Sequence, residues 1–234
     1  MTLVREWSYD GTELAWLQAG LIGTMDEGHV VAELVPDGFE AYLRVFHRFE
    51  ASDGSGRTRS WRGWAGDSGV RFHGELSHWS LPDEGRHEGA TPLWLAQSGQ
   101  LDQCTERALV RVLGEVTGDG RPVSFAYDLE ALLWGADAPV VRRSSVYGLD
   151  EVRKEVAAEL GSLQGPEFWW PTDRSWVVTS DCDLLSTYIG CSAETAERIL
   201  ANREIEALPV APQTRVDWYS DRLNPNLMRA TNRT

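Results

Sequence analysis

Phe168-Trp169-Trp170-Pro171-Thr172-Asp173-Arg174-Ser175-Trp176-Val177-Val178-Thr179-Ser180-Asp181-Cys182-Asp183-Leu184-Leu185-Ser186-Thr187-Tyr188-Ile189-Gly190 is the stretch on which the fold of this chain turns. Aromatic side chains bury the most apolar area per residue, and acidic ones are rarely buried unpaired. Their interleaving therefore marks a core strand that ends at a polar edge, or a site. Ser175 to Asp181 reads as one strand and Ser186 to Gly190 as its partner. Together they form the central hairpin of a sheet, with Trp169, Trp170 and Trp176 in or against the core.

Downstream, Ser192 is a good N-cap and Glu194 suits the positive end of a helix dipole, which predicts a helix over Ala193 to Asn202. Glu204 to Val210 predicts a last strand, and 224–234 a flexible tail. Upstream, Asp150 caps a helix from Glu151 to Leu160 that Gly161 closes. The valines around Arg142 and Arg143 predict a strand, as does Val123 to Tyr127, and Leu129 to Trp134 is a buried apolar piece between them. Leu101, Cys104, Ala108, Leu109, Val112, Leu113 and Val116 form one apolar helix stripe that places Cys104 in the core. Residues 66–89 are dominated by glycine, proline and charge, and read as a long surface excursion, either a lid or a plain loop. A short helix is expected around Trp61, Trp64 and Ala65. Alternation from Phe39 to Arg48 predicts a strand with one mostly apolar face. Val30 to Val35 predicts a one- or two-turn helix stopped by Pro36, and residues 1–23 an irregular lead-in. With no repeat and no linker, the expected fold class is α+β: a single domain over 1–223, with a central, mostly antiparallel sheet flanked by helices.

Of the 234 residues, 42% are hydrophobic and 25% charged, which places the chain among ordinary globular proteins. The net charge of −14 repels phosphate backbones and anionic lipid, so neither nucleic acid nor membrane is an expected partner and a basic protein is. The start lacks a basic segment followed by an apolar one, and no later run suits a spanning helix; the expected location is cytoplasmic. Cys104, Cys182 and Cys191 form no CxxC pair, which predicts reduced thiols. The eleven tryptophans raise the expectation of a recognition surface.

Leu34-Val35-Pro36-Asp37-Gly38-Phe39-Glu40-Ala41-Tyr42-Leu43-Arg44-Val45-Phe46-His47, together with the Phe168–Trp176 and Ser186–Gly190 segments, resembles a family of uncharacterised actinobacterial proteins. That resemblance implies a bacterial cytoplasmic protein and contributes no catalytic residues. Leu34 to Leu43 is also similar to the Leu-Pro-x-x-Tyr-x-x-Phe-Leu region of SMI1/KNR4-type immunity proteins, with a different aromatic spacing.

The candidate binding residues are Trp169, Trp170, Asp173, Arg174, Trp176, Asp181, Asp183 and Tyr188. Arg174 beside Trp170 and Trp176 suits a cation–π contact or an anion anchor, and Asp173-Arg174 alternatively forms a structural ion pair. Two carboxylates two apart in a strand, Asp181 and Asp183, point the same way. No phosphate loop accompanies them, so a solvated turn is the reading preferred over a metal site, and no metal or cofactor is expected. His47 reads as a satisfied, half-buried imidazole. His73, His78 and His87 match no zinc spacing, and Cys182 and Cys191 lack a histidine nearby in sequence. Arg57, Arg59 and Arg62 with Trp61 and Trp64 form the one basic aromatic patch. No nucleophile elbow, Walker loop or dinucleotide fingerprint is present. Two functions follow as expectations. The first is a non-catalytic acidic binding protein of immunity or antitoxin type that engages a basic partner. The alternative is a small-molecule-binding protein or enzyme with a pocket around Trp169, Trp170, Arg174, Trp176 and Asp183; Arg174, Asp181 and Asp183 are the polar residues expected at its rim.

Overall fold

The computed structural model describes residues 7–8, 11–22, 29–82, 92–127, 140–160, 165–225 and 227. In chain order its strands are β1 Trp7–Ser8, β2 Ala41–Phe46, β3 Phe49–Ala51, β4 Thr58–Arg59, β5 Trp94–Ala96, β6 Val123–Tyr127, β7 Val140–Ser144, β8 Phe168–Pro171, β9 Trp176–Ser180, β10 Ser186–Cys191 and β11 Ala207–Val210. Its α-helices are α1 Ala15–Gly20, α2 Trp61–Asp67, α3 Gln103–Thr117, α4 Leu149–Leu160 and α5 Ala193–Ala201. The fold is α+β. Eight strands form an antiparallel sheet in the order β1-β7-β6-β8-β9-β10-β2-β11, and β4-β3-β5 form a second, three-stranded sheet.

The stretch quoted first makes three consecutive strands, β8, β9 and β10, at the middle of the large sheet. Their predominantly β-branched and aromatic residues suit a pleated surface buried on both sides. Alternate residues supply two cores. Trp169, Trp176, Val178 and Ile189 face a layer made by α3, α4 and α5, whose Leu109, Leu113, Val156 and Ile199 complete that cluster. Trp170, Val177 and Tyr188 face the other way, onto Leu14 and Leu17 at and just before α1, onto Val31 and Val35, and onto Val216 near the C-terminus. Farther along that second face Phe46 enters a third cluster with Phe49, Trp61, Trp64, Leu76 and Leu81, beneath the small sheet and α2.

Two layers explain the first correction. The β2 strand is buried from Tyr42 through Phe46, not along one face only, because helices cover one side and loop segments the other. The second concerns Cys104, which is exposed. The inward stripe of α3 runs through Thr105, Ala108, Leu109, Val112 and Leu113, leaving position 104 on the helix flank. The third concerns 66–82, the described part of the long excursion. It is no mere surface loop: Leu76, Ser80 and Leu81 are buried, and past the end of α2 at Asp67 its one regular element is a single 3-10 turn over His78–Ser80. Its remainder to residue 89, with His87, lies outside the described residues, as do Leu129–Trp134 and nearly all of the 224–234 tail.

Local signals hold elsewhere. Ser192 caps α5 by accepting from the Thr195 N–H, and Asp102 caps α3 by accepting from the Thr105 N–H. Asp150 lies in the first turn of α4 rather than capping it, since a 3-10 turn over Val146–Gly148 leads straight into the helix. Val30 to Val35 holds only a 3-10 turn, Val31–Glu33. The amino end of α2 receives a second cap from afar: the Glu206 carboxylate accepts from the N–H groups of Trp61 and Arg62 at 2.8 and 2.7 Å. This bond ties the small sheet's helix to the β11 edge of the large one.

Candidate functional site

The predicted site residues do not converge. Trp169 and Trp176 pack edge to face at 5.5 Å on the helical side, where the Trp176 indole N–H donates to Thr117 Oγ1. Trp170 lies on the opposite side against Trp16 at 5.7 Å. Neighbouring residues of one strand point to opposite faces, so Trp169 and Trp170 cannot wall a common pocket. Asp173 and Arg174 occupy the β8–β9 turn. They do not pair with each other: Asp173 accepts from Arg121 at 2.9 Å, whereas Arg174, in the left-handed region at φ 56°, lays its guanidinium over the Trp16 ring at 5.0 Å. Partial burial works to raise the Asp173 pKa, but hydrogen bonds from Ser175 and the Arg121 charge hold it below its ordinary range. Asp181 and Asp183 sit in the β9–β10 turn, at the far end of the five-residue β9, roughly 17 Å of extended chain from Arg174. They belong to a turn and not to a strand; Asp181 Oδ1 accepts from the Asp183 N–H at 2.8 Å, and Asp181, Cys182 and Asp183 bring ligand atoms within 4.8 Å of one another on the surface.

A different cavity is present, and Tyr188 and Asp183 both line it. It opens on the non-helical face of the large sheet, at the seam between the second and third apolar clusters. Tyr188, Val216 and Leu184 come from one side of the seam, Trp61, Leu76 and Leu185 from the other. Its volume is about 30 Å³, or about 350 Å³ when the open mouth is included. That smaller volume corresponds to room for two or three waters, so a ligand would seat one small head group against Arg44 and leave the rest toward the solvent.

At the seam lies Arg44, only 6% exposed although it carries a charge. It stands midway along β2 between Tyr42, which joins one cluster, and Phe46, which joins the other. Its cross-strand partners are Tyr188 on β10 and Leu208 on β11. Its Nε donates to Ser186 Oγ at 2.9 Å and its Nη1 to the Gly74 carbonyl at 2.8 Å, while the guanidinium carbon rests 4.4 Å from the Phe46 ring centre and 5.5 Å from that of Trp61. No carboxylate lies within ion-pair distance of it among the described residues, and Nη2 makes no hydrogen bond there. Burial pulls its pKa down, and the charges of Tyr188, Asp221 and Glu75 act in the opposite direction; an arginine stays charged regardless. The Tyr188 hydroxyl, on a side chain 2% exposed, also lacks a hydrogen-bond partner among the described residues, and burial raises its pKa.

The outer wall is a strap formed by residues 211–225. Trp218, 52% exposed, and Ser220 face the cavity from it. The strap is fastened to 71–77: Arg215 N–H donates to Glu75 Oε1, Ser220 Oγ to the Glu75 carbonyl, and Ser77 Oγ to the Trp218 carbonyl. Asn224 exchanges two hydrogen bonds with the Arg71 backbone, and Asp221 is bonded by His73 at 3.1 Å. Burial works to raise the Asp221 pKa, but hydrogen bonds from Asn224 and the neighbouring His73 bring it below the ordinary value.

Two further expectations are refined. His47 is fully buried rather than half-buried. The basic aromatic patch exists: Arg59 lies over Trp64 and Trp94, Arg57 over Trp94, and Arg62 over Phe72. Its charge is locally balanced, since Arg57 pairs with Asp53 and Arg59 with Asp67. Sequence reasoning missed Arg44 and Trp218. For Arg44 a signal existed, an arginine sharing strand parity with the aromatics Tyr42 and Phe46. No local pattern linked Trp218 to a strand 170 positions away. Comparison with protein-family models, with curated proteins and with solved structures yields no match for this chain. No described helix is long and apolar enough to cross a membrane.

Proposed function

We propose that this protein binds a small organic ligand through its carboxylate, which sits on Arg44 and Tyr188 between the aromatic walls Trp61 and Trp218. The observation that carries this reading is the buried Arg44 guanidinium, with one nitrogen uncommitted and no carboxylate paired to it among the described residues. A buried charge without a counter-ion is costly, and the arginine fork suits a carboxylate. Arg44→Met tests it. Isothermal titration with a panel of aliphatic and aromatic monocarboxylates is expected to show binding to the wild type that the variant weakens at least about tenfold, a loss of about 1.4 kcal/mol. Its melting temperature should stay within a few degrees of wild type, because an apolar side chain of similar volume replaces a desolvated charge. Absence of binding to the wild type across the panel defeats the proposal.

A second reading, an acidic protein of immunity or antitoxin type that engages a basic protein, draws on one observation. The strap exposes Trp218, Tyr219 and Leu223 on a chain of net charge −14. Titration with an Arg/Lys-rich peptide should then give salt-sensitive association weakened by Trp218→Ala; salt-independent or absent association argues against it.

A further inference from the structure

Resting on the carboxylate reading, the geometry points to a zwitterion as the ligand: we infer an α-amino acid with an apolar side chain, whose ammonium group is held by Asp183 while its carboxylate sits on Arg44. The cavity has two lining carboxylates, and they differ in commitment. Asp217 is occupied, its Oδ2 accepting from Arg215 Nε and Nη2 at 3.1 and 2.8 Å and its Oδ1 from the Tyr219 N–H at 2.7 Å. Asp183 is held through its N–H, bonded to Asp181, and its exposed carboxylate accepts no hydrogen bond among the described residues. The cavity therefore has an uncommitted cation at its floor and an uncommitted anion at its mouth.

Electrostatics narrows the choice of ligand. The guanidinium and the His78 imidazole share the cavity lining with Asp183 and Asp217, and Glu75 and Asp221 also act on Arg44, on a chain of net charge −14. A phosphate or a dicarboxylate brings more negative charge than Arg44 offsets, and the rim repels the excess. A lone carboxylate is balanced at the floor but meets the same rim. A carboxylate that carries its own ammonium group turns that repulsion into a charge-assisted hydrogen bond. Of the remaining lining residues, Ser77, His78, Ser186 and Ser220 are polar, whereas Trp61, Leu76, Leu184, Leu185, Val216 and Trp218 form an apolar and aromatic wall that accepts an apolar side chain.

The test compares L-leucine with isocaproate, its deamino analogue, by isothermal titration of the full chain and of Asp183→Asn. The expected result is that the wild type binds L-leucine at least about tenfold tighter than isocaproate. Asp183→Asn should remove that difference and leave isocaproate binding unweakened. Equal binding of the two ligands by the wild type, or equal weakening of both by Asp183→Asn, overturns the zwitterion and leaves the carboxylate reading standing. Binding of neither overturns both. Asp183 is exposed on a turn, so the variant is expected to fold, and an unchanged melting temperature without ligand checks this.

Discussion

At the scale of single residues, His47 shows how burial sets a protonation state. It lies just past the end of β2, its Nδ1 2.7 Å from the Gln97 carbonyl and its Nε2 2.9 Å from Thr187 Oγ1, which also contacts Ser180 Oγ at 2.7 Å. A carbonyl only accepts, so Nδ1 carries the proton, Nε2 accepts from Thr187, and Thr187 accepts from Ser180. Desolvation dominates and lowers the imidazole pKa from 6.5 to about 4, despite the Gln97 hydrogen bond and Asp102. The sign follows directly. The unfolded chain takes up this proton as pH falls through 6.5, while the folded protein resists until about 4, so stability is intact above that window and is lost across it. The loss is expected to reach about 3 kcal/mol. Urea unfolding at pH about 7 and about 4.5 should show it, and His47→Gln should flatten the difference; a pH dependence unchanged in His47→Gln contradicts the assignment. Arg44 is the complementary case, a buried group that keeps its charge and has no carboxylate within ion-pair distance among the described residues.

At the scale of elements, β10 bears most of the constraint. It lies between β9 and β2, its Thr187, Ile189 and Cys191 facing the helices and Tyr188 the cavity. Gly190 continues the cavity side, where Phe39 and Val35 close over the backbone. A Cβ there would come within 2.7 Å of Val35 Cγ1 and closer still to the Phe39 ring. Val35 is fully buried and cannot retreat, so Gly190→Ala is expected to destabilise by about 1–3 kcal/mol. Gly114 on α3 is the control. A Cβ there meets the Tyr147 ring, but Tyr147 is 55% exposed and free to swing outward. The better helix propensity of alanine offsets that movement, and Gly114→Ala should change stability by no more than about 1 kcal/mol. Chemical denaturation of the pair checks this; equal costs would show that Phe39 and Val35 yield as readily as Tyr147.

At the scale of the whole molecule, the buried tryptophans are spread over three clusters packed against the large sheet. Trp169 and Trp176 report on the helical face, Trp170 on the opposite face, and Trp61 and Trp64 on the layer under the small sheet. The third cluster is stitched to the large sheet through Phe46, the Glu206 cap on α2 and the Trp61 indole bond to the His47 carbonyl. Unfolding followed by tryptophan fluorescence and by far-ultraviolet circular dichroism is therefore expected to give coincident transitions. Two separated midpoints would show that the small sheet and α2 melt on their own. The α+β class, the β9–β10 hairpin and helices α3 and α5 were legible because period and capping are local properties, carried by residues such as Leu109, Leu113 and Ser192; β8 was not, because Phe168-Trp169-Trp170-Pro171 carries no alternating polar face. The burial of both faces of β2 was not, since what covers Arg44 arrives from Leu76, Val216 and Trp218.

By itself the sequence determined the β9–β10 hairpin, the strands β6 and β7 and the helices α3, α4 and α5, that the tryptophans of 168–176 are core, and that the chain is strongly acidic. Each follows from side-chain chemistry within a few residues. Tertiary structure alone decided which polar groups share a cavity. The β-pleat sent Trp169 and Trp170 to opposite faces and β9 held Arg174 apart from Asp181 and Asp183, whereas strand pairing set Arg44 beside Tyr188 and the strap closed Trp218 over them. A site assembled from residues 44, 61, 183, 188 and 218 is fixed by pairing and packing over long separations, and no local periodicity encodes it.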